Sequence, residues 1–244
     1  MQTTAALQNI AIVLNKPKRS GNIGSVARCA KNMGIERIFV VGHADPDGEE
    51  MRKMSTHLAT DLVDSIRYFN CLDTALAHFQ YVVGMTARKG AARGATLSPR
   101  EAAASLVDIS QHNEIALLFG PENTGLTNDN LKFCHAVVTI PTSSFKSINL
   151  SHAVMILCYE IFIARMETAE RFTPRLATSA ELEGMYSQIK ELLMKIGFLN
   201  PQNPERWMMY IRRFFPRTKL RSREVKIVRG ICRQMEWYLD NKKV

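Results

Sequence analysis

The five cysteines of this chain, Cys29, Cys71, Cys134, Cys158 and Cys232, are odd in number and form no C-x-x-C pair. That excludes the ligand spacing of a zinc site and the even count of a disulfide framework, and buried free thiols are the ordinary reading. Long apolar runs are missing too. The most apolar stretch, Ala153 to Ala164, is too short to cross a bilayer and contains Glu160. The start, Met1-Gln2-Thr3-Thr4-Ala5-Ala6-Leu7, lacks the basic flank and apolar core of a signal peptide. No internal repeat or low-complexity tract is visible. The expectation is a soluble cytoplasmic protein with no metal and no membrane partner.

What is present begins with charge. The 244 residues carry a net charge of +9 and are 46% apolar, enough for a sizeable core. Residues 1–165 hold 16 Lys/Arg against 14 Asp/Glu, whereas residues 166–244 hold 16 against 9. Between Arg206 and Arg233 ten basic residues face only Glu224. Such a patch fits an anionic polymer.

Apolar, β-branched runs predict strands at Asn9–Leu14, Arg37–Val41, Ser65–Phe69, Tyr81–Met85, Ile115–Phe119 and Ala136–Ile140. Helical patterning falls between them, at Gly21–Met33, Glu49–Met54, His57–Leu62, Leu72–His78, Pro99 to about Val107, and Leu150–Arg165. Ala87–Leu97 reads as an exposed loop. Alternating strands and helices predict an α/β domain with a mostly parallel sheet flanked by helices. The helix at 150–165 is apolar on nearly every side, so a partner subunit is expected against it. A linker at 167–178 then leads to three helical stretches, about Ser179–Ile196, Pro204–Phe214 and Ser222–Tyr238. The division is a domain at 1–166, the linker at 167–178 and a small basic helical module at 179–244.

Three polar stretches follow predicted strands: Gly21-Asn22-Ile23-Gly24 running to Arg28, Phe119-Gly120-Pro121-Glu122 running to Gly125-Leu126, and Ser147-Ile148-Asn149-Leu150-Ser151. In parallel sheets ligands bind beyond the carboxyl ends of strands. Each stretch also has an ordinary structural reading. Arg28 suits a solvated helix face. Glu122 suits the amino end of the turn at Leu126–Leu131. Ser147, Asn149 and Ser151 suit a helix cap. Neither a dinucleotide fingerprint nor a Walker loop is present, because G-N-I-G-S-V-A has the wrong glycine spacing and no Gly-Lys-Ser/Thr.

As an ordered set, Asn22-Ile23-Gly24…Arg28, Gly120-Pro121-Glu122…Gly125-Leu126 and Ile140-Pro141…Ser147-Ile148-Asn149-Leu150-Ser151 resemble the three motifs of the SPOUT superfamily, in its SpoU/TrmH branch of RNA ribose 2′-O-methyltransferases. The resemblance covers about residues 8–165. It implies a C-terminal trefoil knot in the α/β domain, S-adenosyl-L-methionine as cofactor and a working homodimer. It makes Arg28 the catalytic arginine, with Asn22 and Glu122 shaping the site and Ser147 and Asn149 holding the reacting ribose. It assigns the cofactor pocket to Met85, Thr86, Ala87, Gly120, Ile140, Ser147, Ile148 and Leu150.

The tail, Arg212-Arg213-Phe214-Phe215-Pro216-Arg217 followed by Glu224-Val225 and Ile227-Val228-Arg229-Gly230-Ile231, resembles the C-terminal extension of the TrmJ family. Those enzymes methylate nucleotide 32, cytidine or uridine, in the tRNA anticodon loop. The likeness implies tRNA as partner and an RNA-binding role for Arg28, Arg212, Arg213, Arg217, Lys219, Arg221 and Arg223. Two positions depart from the pattern: Pro17-Lys18-Arg19-Ser20 stands where relatives often carry His, and Asn123 where an Arg commonly follows the glutamate. Methyl transfer from a sulfonium needs alignment above all, which supplies roughly 7–11 kcal/mol in the best intramolecular cases. It needs no metal and no covalent nucleophile. A ribosomal RNA substrate, or a catalytically silent RNA-binding module, are the alternatives the sequence leaves open.

Overall fold

The computed structural model describes residues 5–42, 46–87, 96–145, 147–167 and 174–241, without the side chains of Ala5, Ala6, Glu167, Pro216 and Arg217. It divides into two compact units, Met1–Pro174 and Arg175–Val244.

In the first unit, six strands form one parallel sheet: β1 (Ile10–Asn15), β2 (Arg37–Val41), β3 (Arg67–Phe69), β4 (Tyr81–Met85), β5 (Ile115–Phe119) and β6 (Ala136–Val138), in the order β3-β2-β1-β5-β4-β6. The helices are α1 (Ala5–Gln8), α2 (Ser20–Asn32), α3 (Gly48–Ser55), α4 (Thr60–Asp64), α5 (Leu72–Leu76), α6 (Pro99–Ser110), α7 (Asn128–Leu131) and α8 (Leu150–Glu167), with a 3₁₀ turn at His57–Ala59. The central strands are buried on both faces, as parallel sheets require. With a side-chain period of two, Ala11, Val13, Phe39, Val41, Val82, Ala116 and Leu118 share one face and pack with Leu72, Ala75, Leu76 and Phe79.

The strand register sets where the loops leave the sheet. Leu14 pairs with Phe119, Gly84 with Leu118, and Met85 with Val138. The chain segments after β1, β5, β4 and β6 therefore emerge at one edge.

Several boundaries differ from expectation for local reasons. The strand expected over Ala136–Ile140 ends at Val138, where a last parallel bridge to Leu97 is made by the Leu97 amide to Val137 O and the Thr139 amide to Leu97 O, both at 2.9 Å. The helix expected to end near Val107 continues to Ser110, capped by a reciprocal Ser98–Glu101 pair at its start. Short α1 was not expected. Nearly all-apolar α8 packs on α2 and α6, with Val154, Leu157, Cys158 and Ile161 buried. Tyr159 and Met166 of the same helix are 49% and 74% exposed. Most of the loop expected at Ala87–Leu97, and residues 168–173 of the expected linker, lie outside the described residues. Among those described, no helix is long and apolar enough to cross a membrane, and no group of His, Cys, Asp and Glu could hold a metal ion.

The second unit is a three-helix module of α9 (Ser179–Lys195), α10 (Glu205–Phe214) and α11 (Ser222–Asn241), with a 3₁₀ turn at Phe215–Thr218. Leu182, Met185, Tyr186, Ile189, Leu192, Leu199, Met208, Val225 and Cys232 form its core. A Thr178–Glu181 capping box starts α9, and Ser222 of α11 donates to the same Glu181 carboxylate at 2.8 Å.

Candidate active site

The first loop runs from Lys16 to Ser20 between β1 and α2. Its backbone is held at both ends: the Lys16 amide donates to Val41 O at 2.8 Å, and the Asn22 amide to Arg19 O at 3.1 Å. Pro17 and Ser20 are buried, so Lys16, Lys18 and Arg19 face outward. Gly24 lets α2 lie directly on α3, since a Cβ there would stand 2.1 Å from Met51 O.

The second loop folds back sharply after β5. Gly125 adopts φ +62° and its amide donates to Pro121 O at 2.8 Å. This brings Gly125 and Leu126 so close to Gly120 that a Cβ on Gly120 would lie 2.4 Å from the Gly125 carbonyl carbon. Leu126, fully buried, anchors the reversal in the core. Glu122 is thereby turned toward the first loop.

The third loop delivers Asn149 as the cap of α8. Its Oδ1 accepts from the Ser151 amide at 2.9 Å and from Ser151 Oγ at 2.8 Å. The capping reading of this motif is thus correct, but it uses only half of the side chain. Asn149 Nδ2 donates to Asn22 Oδ1 at 3.4 Å, and Asn22 Nδ2 donates to Glu122 Oε1 at 2.7 Å. The other Glu122 oxygen accepts from the Lys18 amide at 2.9 Å. One hydrogen-bonded line, Asn149–Asn22–Glu122, therefore joins all three motifs. Glu122 serves this line and not the turn at Leu126–Leu131, which is capped by a Thr127–Asn130 box.

Partial burial opposes the charge on Glu122, but the hydrogen bonds from Asn22 and from the amides of Lys18 and Arg19 outweigh it and hold the carboxyl below its ordinary range. Glu122 is thus an anion that fixes its neighbours, not a carboxyl poised to take up a proton near neutral pH.

Arg28 is not part of that line. α2 starts at Ser20, so Arg28 lies about two turns into the helix. Six residues beyond Asn22, it is rotated about 120° around the axis. It is exposed and makes no hydrogen bond or ion pair with any described residue. Cys29, seven residues after Asn22, lies on the Asn22 stripe instead, with Sγ 3.5 Å from Ser151 O. Ser147 is exposed at the mouth of the third loop.

Of the residues expected around the cofactor, Met85 ends β4 and Thr86 follows it, both buried, Gly120 follows β5, and Ile140 lies just beyond β6. Ile148 is half-buried, Leu150 is buried at the start of α8, and Ala87 is exposed. Adjacent β5, β4 and β6 thus bring Gly120, Met85, Thr86 and Ile140 to one edge. The hydroxyl of Thr139, beside Ile140, is buried with no hydrogen-bond partner among the described residues. Apolar walls with one unsatisfied buried hydroxyl fit a nucleoside-containing ligand. Thr139 and the Lys18 amide were not foreseen. A threonine ending a strand is a weak signal, and a backbone donor leaves none.

Among the basic residues of the tail, Lys219, Arg221 and Arg223 are exposed. Arg213 is half-buried, with Nη2 3.5 Å from Met209 Sδ. The side chain of Arg217 lies outside the described residues. Arg212 is engaged internally: it donates to both Glu183 oxygens at 2.5 and 2.6 Å and lies 4.5 Å from the Tyr186 ring centroid.

Comparison with known proteins identifies the family. Residues 9–159 match the model of the SpoU rRNA methylase family, and residues 180–243 match the C-terminal domain of tRNA methyltransferase TrmJ. The tRNA (cytidine/uridine-2′-O-)-methyltransferase TrmJ of Klebsiella pneumoniae is 35% identical, over 94% of this chain and 97% of that one. The tRNA (cytidine/uridine/adenosine-2′-O-)-methyltransferase TrmJ of Pseudomonas aeruginosa is 34% identical, over 94% and 95%. The crystal structure of TrmJ from Z. mobilis superposes with a TM-score of 0.79 at 26% identity, over 93% of this chain and 98% of that one. With its SpoU domain and TrmJ-type C-terminal domain, this chain belongs to the TrmJ family of SpoU methyltransferases.

Proposed function

We propose that this chain is an S-adenosylmethionine-dependent tRNA ribose 2′-O-methyltransferase that modifies nucleotide 32 of the anticodon loop, on cytidine or uridine, and works as a cytoplasmic homodimer. The observation that carries the reading is the Asn149–Asn22–Glu122 line, which draws three loops separated by up to 127 positions into one site. Full-length relatives that methylate tRNA support the substrate. The trefoil knot belongs to the same proposal. So does dimerisation through α8, whose exposed Tyr159 and Met166 continue an apolar helix.

When bound, S-adenosylmethionine supplies a methyl group on a positively charged sulfur. Gly120, Met85, Thr86, Ile140, Ile148 and Leu150 would hold it along the sheet edge. Asn149, fixed by its cap bonds and by Asn22, sets the ribose position. Ser147, exposed beside it, offers a hydroxyl to the same sugar. Glu122 keeps Asn22 and the Lys16–Ser20 segment in place by accepting from both. Arg28 acts by charge, because a guanidinium has donors only. It stabilises the anionic character that grows on the 2′-oxygen or binds the adjoining phosphate, while water or a phosphate oxygen takes the 2′-hydroxyl proton.

The test is methyl transfer from labelled S-adenosylmethionine to whole tRNA, with mapping of the modified nucleotide. Arg28→Ala should melt as wild type yet lose about 10²-fold or more in rate, the scale of removing one preorganised charge-stabilising donor. Absence of methylation by the wild type, or full activity in Arg28→Ala, would overturn the assignment.

A further inference from the structure

The C-terminal module carries a surface that neither its core nor its ion pairs use. In α10, Met208 is buried and Arg212, one turn on, is tied to Glu183. The opposite side of the helix presents Trp207, Tyr210 and Phe214, spaced i, i+3 and i+7 so that they form a single stripe. They are 49%, 48% and 63% exposed, although aromatic rings are the side chains with most to gain from burial. The stripe is extended by Phe198, 56% exposed, which follows Gly197 at the end of α9. The rings touch in sequence: Phe198 to Trp207 at 5.6 Å between centroids, and Trp207 to Tyr210 at 5.9 Å.

Arg206 and Arg213 flank this ladder along the same helix, inside the stretch where ten basic residues face one acid. The exposed stripe of α11 is aliphatic over most of its length, with Ile227, Ile231 and Met235, and reaches aromatic Trp237 and Tyr238 only at its end. Aliphatic faces of that sort suit protein packing. Rings with guanidinium groups beside them suit the π-faces of unpaired bases and the phosphates between them.

We propose that Phe198, Trp207, Tyr210 and Phe214 form a stacking platform for unpaired RNA bases, with Arg206 and Arg213 tracking the backbone. It rests on the reading of the chain as an enzyme of tRNA, and it assigns the platform to loop nucleotides, not to the helical stems. Stacking tolerates any base, so the platform adds affinity and placement without choosing sequence.

The chain has two tryptophans, so full-length protein carrying Trp237→Phe leaves Trp207 as the sole reporter. Titration with a single-stranded oligouridylate should quench Trp207 emission to saturation, and duplex RNA of equal length should quench it far less. Trp207→Leu and Tyr210→Leu should each weaken binding of the single strand about tenfold, the effect of losing one stacked base. The slope of log affinity against log salt should stay as in the parent. Trp207→Phe should restore most of the affinity, which separates loss of a ring from loss of fold. Arg206→Ala should instead lower the salt slope by about one.

Unchanged affinity in the Trp207→Leu/Tyr210→Leu double variant would overturn the platform. So would a blue shift of Trp207 emission that grows with protein concentration without RNA, because the face would then be a contact between copies. Quenching needs no methyl donor. A chain that stacks RNA but never methylates tRNA would defeat the proposed reaction and leave the platform standing.

Discussion

Replacing Glu122 by glutamine keeps the size of the side chain and removes its charge. Both carboxylate oxygens accept hydrogen bonds, from Asn22 Nδ2 at 2.7 Å and from the Lys18 amide at 2.9 Å. A glutamine has one accepting oxygen, so one of the two donors would face an NH₂ group. Flipping the Asn22 amide would relieve that clash, but it would turn the Asn22 nitrogen toward Asn149 Nδ2, which now donates to Asn22 Oδ1. The loss cannot be absorbed within the line. Hydrogen bonds to charged groups contribute about 1.5–3 kcal/mol, and half-burial places Glu122 near the lower figure. A loss of about 1.5 kcal/mol lowers Tm by roughly 3–6 °C in a protein of this size. Acid sensitivity should change as well. The folded carboxyl titrates below its unfolded value, so its stabilisation is complete above pH about 4.5 and disappears as pH falls through the folded pKa. Glu122→Gln should therefore flatten the acid limb of the stability curve. The decisive assay is a double-mutant cycle with Asn22→Ala and Glu122→Ala, read by thermal melting. A coupling of about 1 kcal/mol or more is expected, and one below about 0.3 kcal/mol would refute the line as a mechanical unit.

Three further outcomes follow from the structure. Burial holds the His135 imidazole neutral, with its pKa down to about 4, and the Val82 amide donates to its Nδ1 at 3.1 Å. The unfolded chain takes up that proton at a higher pH, so this contribution is complete above pH about 6.5 and is lost by about 3 kcal/mol as pH falls toward 4. Melting curves between pH 6.5 and 5, where carboxylates stay ionised, should show a falling Tm whose slope His135→Gln reduces, the remainder coming from His78, which burial also holds below its ordinary value; a slope unchanged by His135→Gln would exclude the effect. Gly120→Ala should cost about 1–3 kcal/mol and weaken methyl-donor binding in calorimetry, because the new methyl meets backbone and not a movable side chain. Arg212→Lys should destabilise the helical module, visible as earlier loss of its amide protection in hydrogen exchange, because an ammonium replaces neither the two-pronged bond to Glu183 nor the stacking on Tyr186. Full protection with weakened tRNA binding would instead give Arg212 to the RNA.

The sheet was legible because its buried strands are short, nearly unbroken apolar runs. Arg37–Val41, Tyr81–Met85 and Ile115–Phe119 lie where the pattern places them, and the first strand is displaced by one residue. Motif order likewise pointed to a site at one sheet edge and to the family. Side-chain partnerships were not legible. Nothing near Asn22 in the sequence marks Glu122, 100 positions away, as its partner. The helix carrying Arg28 begins one residue earlier than its glycines imply, at a buried Ser20 whose hydroxyl accepts from the Asp47 amide at 2.9 Å, a contact that no local pattern marks. Arg212 looked like one more cation in a basic run, and only the packing of α9 against α10 reveals its carboxylate.

The line through Asn22, Glu122 and Asn149 has a consequence for the order in which the protein becomes useful. Asn22 and Glu122 belong to the first half of the chain, but the residue that completes the site also begins α8. During synthesis, a ribosome that has made β1 through β6 has produced a nearly full sheet and no finished site. The line closes only with the last helix of the first unit, when the same asparagine caps that helix and reaches Asn22.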